Sequence, residues 1–349
     1  MGVDANLPEA RSEVIAREPD FGLGTVTGIG SLPHRAPADA VAFVLDRTAD
    51  LPAAPSLPSF DPRQGIVAEG VWGIHGVSVA EDGTVRVDPT ALDPAAPLAD
   101  EGLEGAPYGG TRAFLAAVAG RSGPIKVQLP GPVTVGRALV AAGVEPALAF
   151  TVAGAAVTSR ARQLAALART SAPGAQVVLF LDEPGLAGSL ADLQIPIDQV
   201  IDLVSGALAA VEPFVITGIH CCGDADWRIP LQAGPQVLSL PATTDVGPSA
   251  GALAAFVERG GWLAWGAVPT DGPRSGTVGR LWRTVAARWC ELVQAGCDPV
   301  RLRHHTLLTP ECGLALHTVG QAGLILDLAH QLGERLQDQL TSVRLSVGA

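Results

Sequence analysis

Long hydrophobic runs are missing from this 349-residue chain: no uninterrupted apolar stretch reaches the length of a membrane-spanning helix. The stretch from Met1 to Asp20 is acidic and polar and shows no signal-peptide pattern, so neither membrane insertion nor export is expected, and the expected location is the cytoplasm. Cysteine is scarce. Five residues, an odd number in a large chain, argue against a disulfide framework and for a reducing compartment. Basic charge is in deficit, with 23 Lys and Arg against 35 Asp and Glu, and the resulting net charge of −12 excludes nonspecific nucleic-acid binding. Lysine in particular is rare beside abundant Ala, Gly and Pro, which points to a GC-rich coding background more than to a function. Charged residues make up only 17% and hydrophobic residues 48%, enough for a sizeable core in one large α/β barrel or two ordinary domains.

What is present is an alternation of short strand-like runs with longer helical ones. Thr25 to Ile29 reads as a strand, followed by a helix from Ala38 to Thr48 opened by Pro37. Leu51 to Pro62 is proline-rich and reads as extended. Residues 65–90 read as a β-hairpin insertion, and Pro89 to Gly110 as a loop or lid. Further strands are expected at Ile125–Leu129, Val177–Leu181, Pro213–Ile219, Val237–Leu240, Trp262–Gly266 and Thr306–Leu308, separated by helices, one of them N-capped by Ser249. Counting the proline-rich segment, this amounts to about eight β/α units, and the predicted fold is an α/β (β/α)8 TIM-type barrel. A doubly wound dinucleotide fold is disfavoured, because no strand runs into a G-x-G-x-x-G turn.

The chemistry-bearing motifs follow the apolar runs: Gly30-Ser31-Leu32-Pro33-His34, Gln128-Leu129-Pro130-Gly131-Pro132, Asp182-Glu183-Pro184, His220-Cys221-Cys222-Gly223, Thr270-Asp271-Gly272 and Glu311-Cys312-Gly313. In a barrel all of these reach the C-terminal face, where such enzymes build their sites. His220 and Cys222 are two apart, so at an extended strand end both side chains leave one face. Cys312 can join them from another strand end. One imidazole and two thiolates suit Zn2+, and three protein ligands leave a position open for a thiol substrate. Cys221, Cys290 and Cys297 read as structural, as do Trp72, Trp227 and Trp265. His34 and Arg35 read equally as surface residues or as contacts to an anion, and His304, His305 and His317 are not assigned as ligands.

Taken together, Gly30-Ser31-Leu32-Pro33, Pro130-Gly131-Pro132-Val133-Thr134, Asp182-Glu183-Pro184, His220-x-Cys222 and Pro310-Glu311-Cys312-Gly313-Leu314 resemble, in order, the catalytic domain of the cobalamin-independent methionine synthase family. That family lies within a wider group of uroporphyrinogen decarboxylases and methylcobamide:thiol methyltransferases. The resemblance covers roughly residues 24–340 and implies a single barrel domain over 23–345 after an N-terminal extension, 1–22. It implies that His220, Cys222 and Cys312 match zinc ligands, and that Asp182 matches the aspartate holding the substrate amino group. Gly30 and Ser31 match the segment that holds the carboxylate, and Glu69 falls near a second amine-binding acid. The implied activity is methyl transfer to a thiol, homocysteine giving methionine, with methyltetrahydrofolate or methylcobalamin as donor. The implied partners are a small thiol and, for the second donor, a corrinoid protein.

Two departures bear on this. Pro241 stands where the methionine synthases carry a glutamate ligand, leaving water, Asp224, Asp245 or the substrate thiol alone as the fourth ligand. The N-terminal barrel of the full-length synthases has no counterpart here, which opens the choice of donor. A uroporphyrinogen-decarboxylase-like enzyme and a non-catalytic zinc- or thiol-binding barrel stay open as alternatives. The bland reading of Asp182 is a cap on the following helix.

Overall fold

The structure is a computed structural model that describes residues 19–99, 103–271 and 277–347, with side chains to residue 338. The expected extension 1–22 lies mostly outside the described residues, as does Gly272. The first two strands, β1 (Val77–Val79) and β2 (Val85–Val87), pair antiparallel as a hairpin. Its turn is held by the Asp82 carboxylate accepting from Thr84 N at 2.9 Å, and Gly83 supplies the left-handed residue with φ +80°. The hairpin is narrower than expected. Ile66–Val71 is a short helix, an assignment hidden by its β-branched composition.

The main sheet has six parallel strands in chain order: β3 (Ile125–Pro130), β4 (Val177–Asp182), β5 (Ile216–His220), β6 (Val237–Pro241), β7 (Trp262–Val268) and β8 (Thr306–Pro310). Helices lie between successive strands, and a last helix, Val319–Val347, follows β8. The helices Pro37–Arg47, Pro132–Ala141 and Pro146–Ser171 each open on a proline, whose fixed φ suits the first helical position and whose missing N–H costs nothing there.

The sheet curls, and its two faces separate by residue parity. Leu179 and Leu181, Ile219, Leu238 and Leu240, Leu263 and Trp265, and Leu308 join the large core shared with the helices. The alternate residues Val178, Phe180, Ile216, Val237, Trp262, Ala264 and Leu307 form a second cluster on the concave side with Phe21 and Leu51. Both faces are buried, which is why these strands read as continuous apolar runs.

A complete eight-strand barrel is more than these elements amount to. The first two expected strands are extended segments joined by isolated bridges: Val26 to Leu308, Ser31 to Ser56, and Ala53 to Lys126. Their bonds still run in sequence from the β8 edge to the β3 edge: Thr27 N to Leu308 O (3.0 Å), Leu32 N to Ser56 O (2.9 Å), and Ala54 N to Lys126 O (2.9 Å). Pro52, Pro55 and Pro58 have no N–H to donate, so this segment cannot sustain a regular ladder. Among the described residues no helix is long and apolar enough to cross a membrane.

Candidate metal centre

His220 ends β5, Cys222 follows two residues later, and Cys312 lies two residues beyond β8. One ligand atom from each falls within 4.8 Å of the other two. His220 is buried at 3% exposure, and the two cysteines are half-buried. The strand register places Asp182, His220 and Ser239 side by side across β4, β5 and β6. His220 Nδ1 lies 2.9 Å from Ser239 Oγ, while buried Nε2 has no hydrogen-bond partner. An orphaned imidazole nitrogen beside two thiols is the donor set that suits Zn2+, and two thiolates with a neutral imidazole offset a dication's charge. The thiols influence each other. Contact with Cys222, then with His220, pulls the Cys312 thiol well below the usual range, and the same pair contact pushes Cys222 up.

The carboxyl groups come from two elements. Asp182, the last residue of β4, is half-buried, and its Oδ1 has no hydrogen-bond partner. Burial raises its pKa, the charges of Lys126 and His220 pull it back, and Cys312 raises it. Glu69 comes from the short helix Ile66–Val71. Burial pushes it up to about 8, Arg160 opposes the shift, and the charge of Asp182 adds to it. The two acids thus share one field. Ser31 meets the metal-side loop directly: its carbonyl accepts from Leu314 N at 2.8 Å, and a β-carbon on Gly313 would stand 2.0 Å from Ser31 Oγ. Gly30 has φ +149°, and a β-carbon there would stand 2.5 Å from Gln128 Nε2, so only glycine fits.

His220, Cys222 and Cys312 meet at the ends of β5 and β8 with Asp182 at the end of β4, and Ser31 touches the loop after β8, whereas Gly30 packs on Gln128 of β3 and Glu69 is linked to the group only through the charge of Asp182. Other candidates do not join them. Asp224 accepts from Thr244 Oγ1 and Asp245 from Gly247 N, and neither carboxylate belongs to the cluster. Pro241 is buried at the end of β6 and offers no ligand. His34 is buried against Phe43, Arg35 is exposed, and His305 stacks on Trp262 ahead of β8. Trp227 and Trp265 are fully buried in the core.

The helix-capping acid is Glu183, not Asp182. Fully buried, it accepts from Val133 N and Thr134 N (both 2.8 Å) and from Thr134 Oγ1 (2.6 Å), closing the start of Pro132–Ala141. Gly131 leaves it room, since a β-carbon there would lie 2.3 Å from the carboxylate. Sequence reasoning also passed over Ser239, Arg160 and Lys126. The signal for Lys126 was present: it is the only lysine in the chain.

No protein family and no curated protein matches this sequence. Solved structures resemble it in fold. One of them is a Listeria monocytogenes protein provisionally named a vitamin-B12 independent methionine synthase, 11% identical, with a TM-score of 0.56 over 93% of this chain and 99% of the other. The likeness is one of fold.

Proposed function

We propose that this chain is a zinc-dependent thiol S-methyltransferase with homocysteine as acceptor. The reading includes a closed (β/α)8 barrel over residues 23–345, completed by the two bridged segments. One observation carries it: an imidazole and two thiols converge within 4.8 Å, beside Asp182 and the Ser31 segment. His220, Cys222 and Cys312 would hold the ion. When bound, it supplies a lowered thiol pKa and hence a thiolate at neutral pH.

The chain's own groups address the rest of the substrate. Burial suppresses the ionisation of both Glu69 and Asp182, the charge of Asp182 adds to the effect on Glu69, and a bound ammonium would favour the ionised form of each. This favours an amino-acid thiol over an anionic thiol without an amine. Ser31 and the backbone at Gly30 would take the carboxylate. In the transfer, a sulfur lone pair forms the S–CH3 bond while the donor departs with the electrons of its bond to methyl. With Pro241 in place of a glutamate ligand, the site is less anionic and the sulfur less nucleophilic, which fits a reactive methyl-corrinoid, free or carried by a corrinoid protein.

The test is methionine formation by the zinc-loaded protein, followed by mass spectrometry, with methylcobalamin and methyltetrahydrofolate in parallel. Methionine from methylcobalamin is expected. Turnover with the folate alone would reverse the donor assignment, and no methionine from either would end the methyltransferase reading.

A further inference from the structure

The 23 cationic side chains of this chain are 22 arginines and one lysine. That lysine is Lys126, on β3 and only 1% exposed. No ion pair reaches it among the described residues. Its ammonium donates to the Ile29 carbonyl at 2.6 Å and to Gln128 Oε1 at 3.2 Å, and lies 4.7 Å from the centre of the Phe180 ring. Gln128, two residues along the same face of β3, donates from Nε2 to the Ala54 carbonyl at 2.6 Å and packs against Gly30. The pair thus laces together β3 and the two extended segments whose backbone pairing is reduced to isolated bridges. The first tie lies immediately before Gly30, and the second lies in the segment that bridges Ser31 through Ser56.

Burying an ammonium is expensive. Burial pushes the pKa of Lys126 down to about 8 against the pull of Asp182. A methionine would fill the same volume without that cost, so the charge is explained by what it donates to and not by packing. Arginine, abundant everywhere else in the chain, has a wider planar head with five donors, more than one carbonyl and one amide oxygen can satisfy.

We propose that Lys126 is a positioning residue for substrate: with Gln128 it substitutes for the missing strand bonds and fixes the Gly30–Ser31 turn in the geometry that receives the amino-acid part of the thiol. This rests on the functional reading above.

The test is homocysteine binding to the zinc-loaded protein by isothermal titration calorimetry, comparing wild type, Lys126→Met and Lys126→Arg. Leu253→Ala, in the outer helix Ala250–Glu258, serves as a destabilised core control. The expected result is a tenfold or larger weakening in both Lys126 variants with zinc content unchanged, and an unchanged Kd in Leu253→Ala. Because there is one lysine, protein labelled with 15N-lysine gives one lysine side-chain NMR signal, which is expected to shift when homocysteine is added. A Lys126→Met protein that binds homocysteine within twofold of wild type overturns the inference and leaves the functional reading intact. Wild-type protein that holds zinc and does not bind homocysteine overturns both. Should Lys126→Met fail to fold, Gln128→Met carries the same test, since it removes the tie to Ala54 and one acceptor of the ammonium.

Discussion

Replacing Ser239 by alanine probes how the imidazole is held. The serine is 1% exposed, and its Oγ lies 2.9 Å from His220 Nδ1. If Nε2 gives its lone pair to a metal, Nδ1 must carry the proton and donate to that oxygen. Removing the hydroxyl then leaves a buried N–H without an acceptor, a cost of about 1–3 kcal/mol. In the metal-free protein the ring can change tautomer, so most of this cost falls on the metal-bound form. Zinc affinity is therefore expected to drop by roughly 10- to 100-fold, the usual range for losing a partner behind a ligand histidine. Competition against a chromophoric chelator at fixed pH measures the change directly. Ser239→Ala protein with wild-type zinc affinity would refute the argument that Nε2 binds the metal and Nδ1 is oriented by Ser239.

Glu69 gives a pH prediction. Its carboxyl, pushed up to about 8, is protonated at pH 7 in the free protein, whereas an ammonium needs the carboxylate. Homocysteine affinity should rise between pH 6 and 8, by at most about tenfold per unit from this group. Binding at pH 7 should release about one proton more in wild type than in Glu69→Gln, measured calorimetrically in buffers of different ionisation enthalpy. Equal proton counts would contradict this. Burial pushes the Glu183 carboxyl up to about 7 against the bonds from Thr134 and Val133, so at pH 8 and above, where it is ionised, Glu183→Gln sets an amide N–H against donors that face a carboxylate and should cost about 2–3 kcal/mol in urea unfolding. Unchanged stability would show that the cap contributes little.

The six paired strands were legible because a strand buried on both faces must be apolar throughout, and each run ends where its polar motif begins. The first two were not. Their hydrogen bonding depends on Lys126 and Gln128, far away in sequence, and on prolines that can sit only where no ladder bond is needed. The one-turn helices Arg228–Gln232 and Pro299–His304 are too short to show periodicity. Ser249 stands at the expected cap position, yet its side chain makes no capping bond. The cluster of His220, Cys222 and Cys312 was readable because residue type carries ligand chemistry. Its support was not, since Ser239 reaches His220 only through the pairing of β5 with β6. That the capping acid is Glu183 was likewise not legible, because the helix it caps lies before β4 and does not follow it.

Zinc content of the purified protein, beside Cys222→Ser and Cys312→Ser, tests the central claim most directly. The account predicts near-stoichiometric zinc in the wild type, lost or strongly reduced in each variant while the fold is retained by circular dichroism. Wild-type protein without zinc after reconstitution under reducing conditions, or variants that keep a full equivalent, would contradict it.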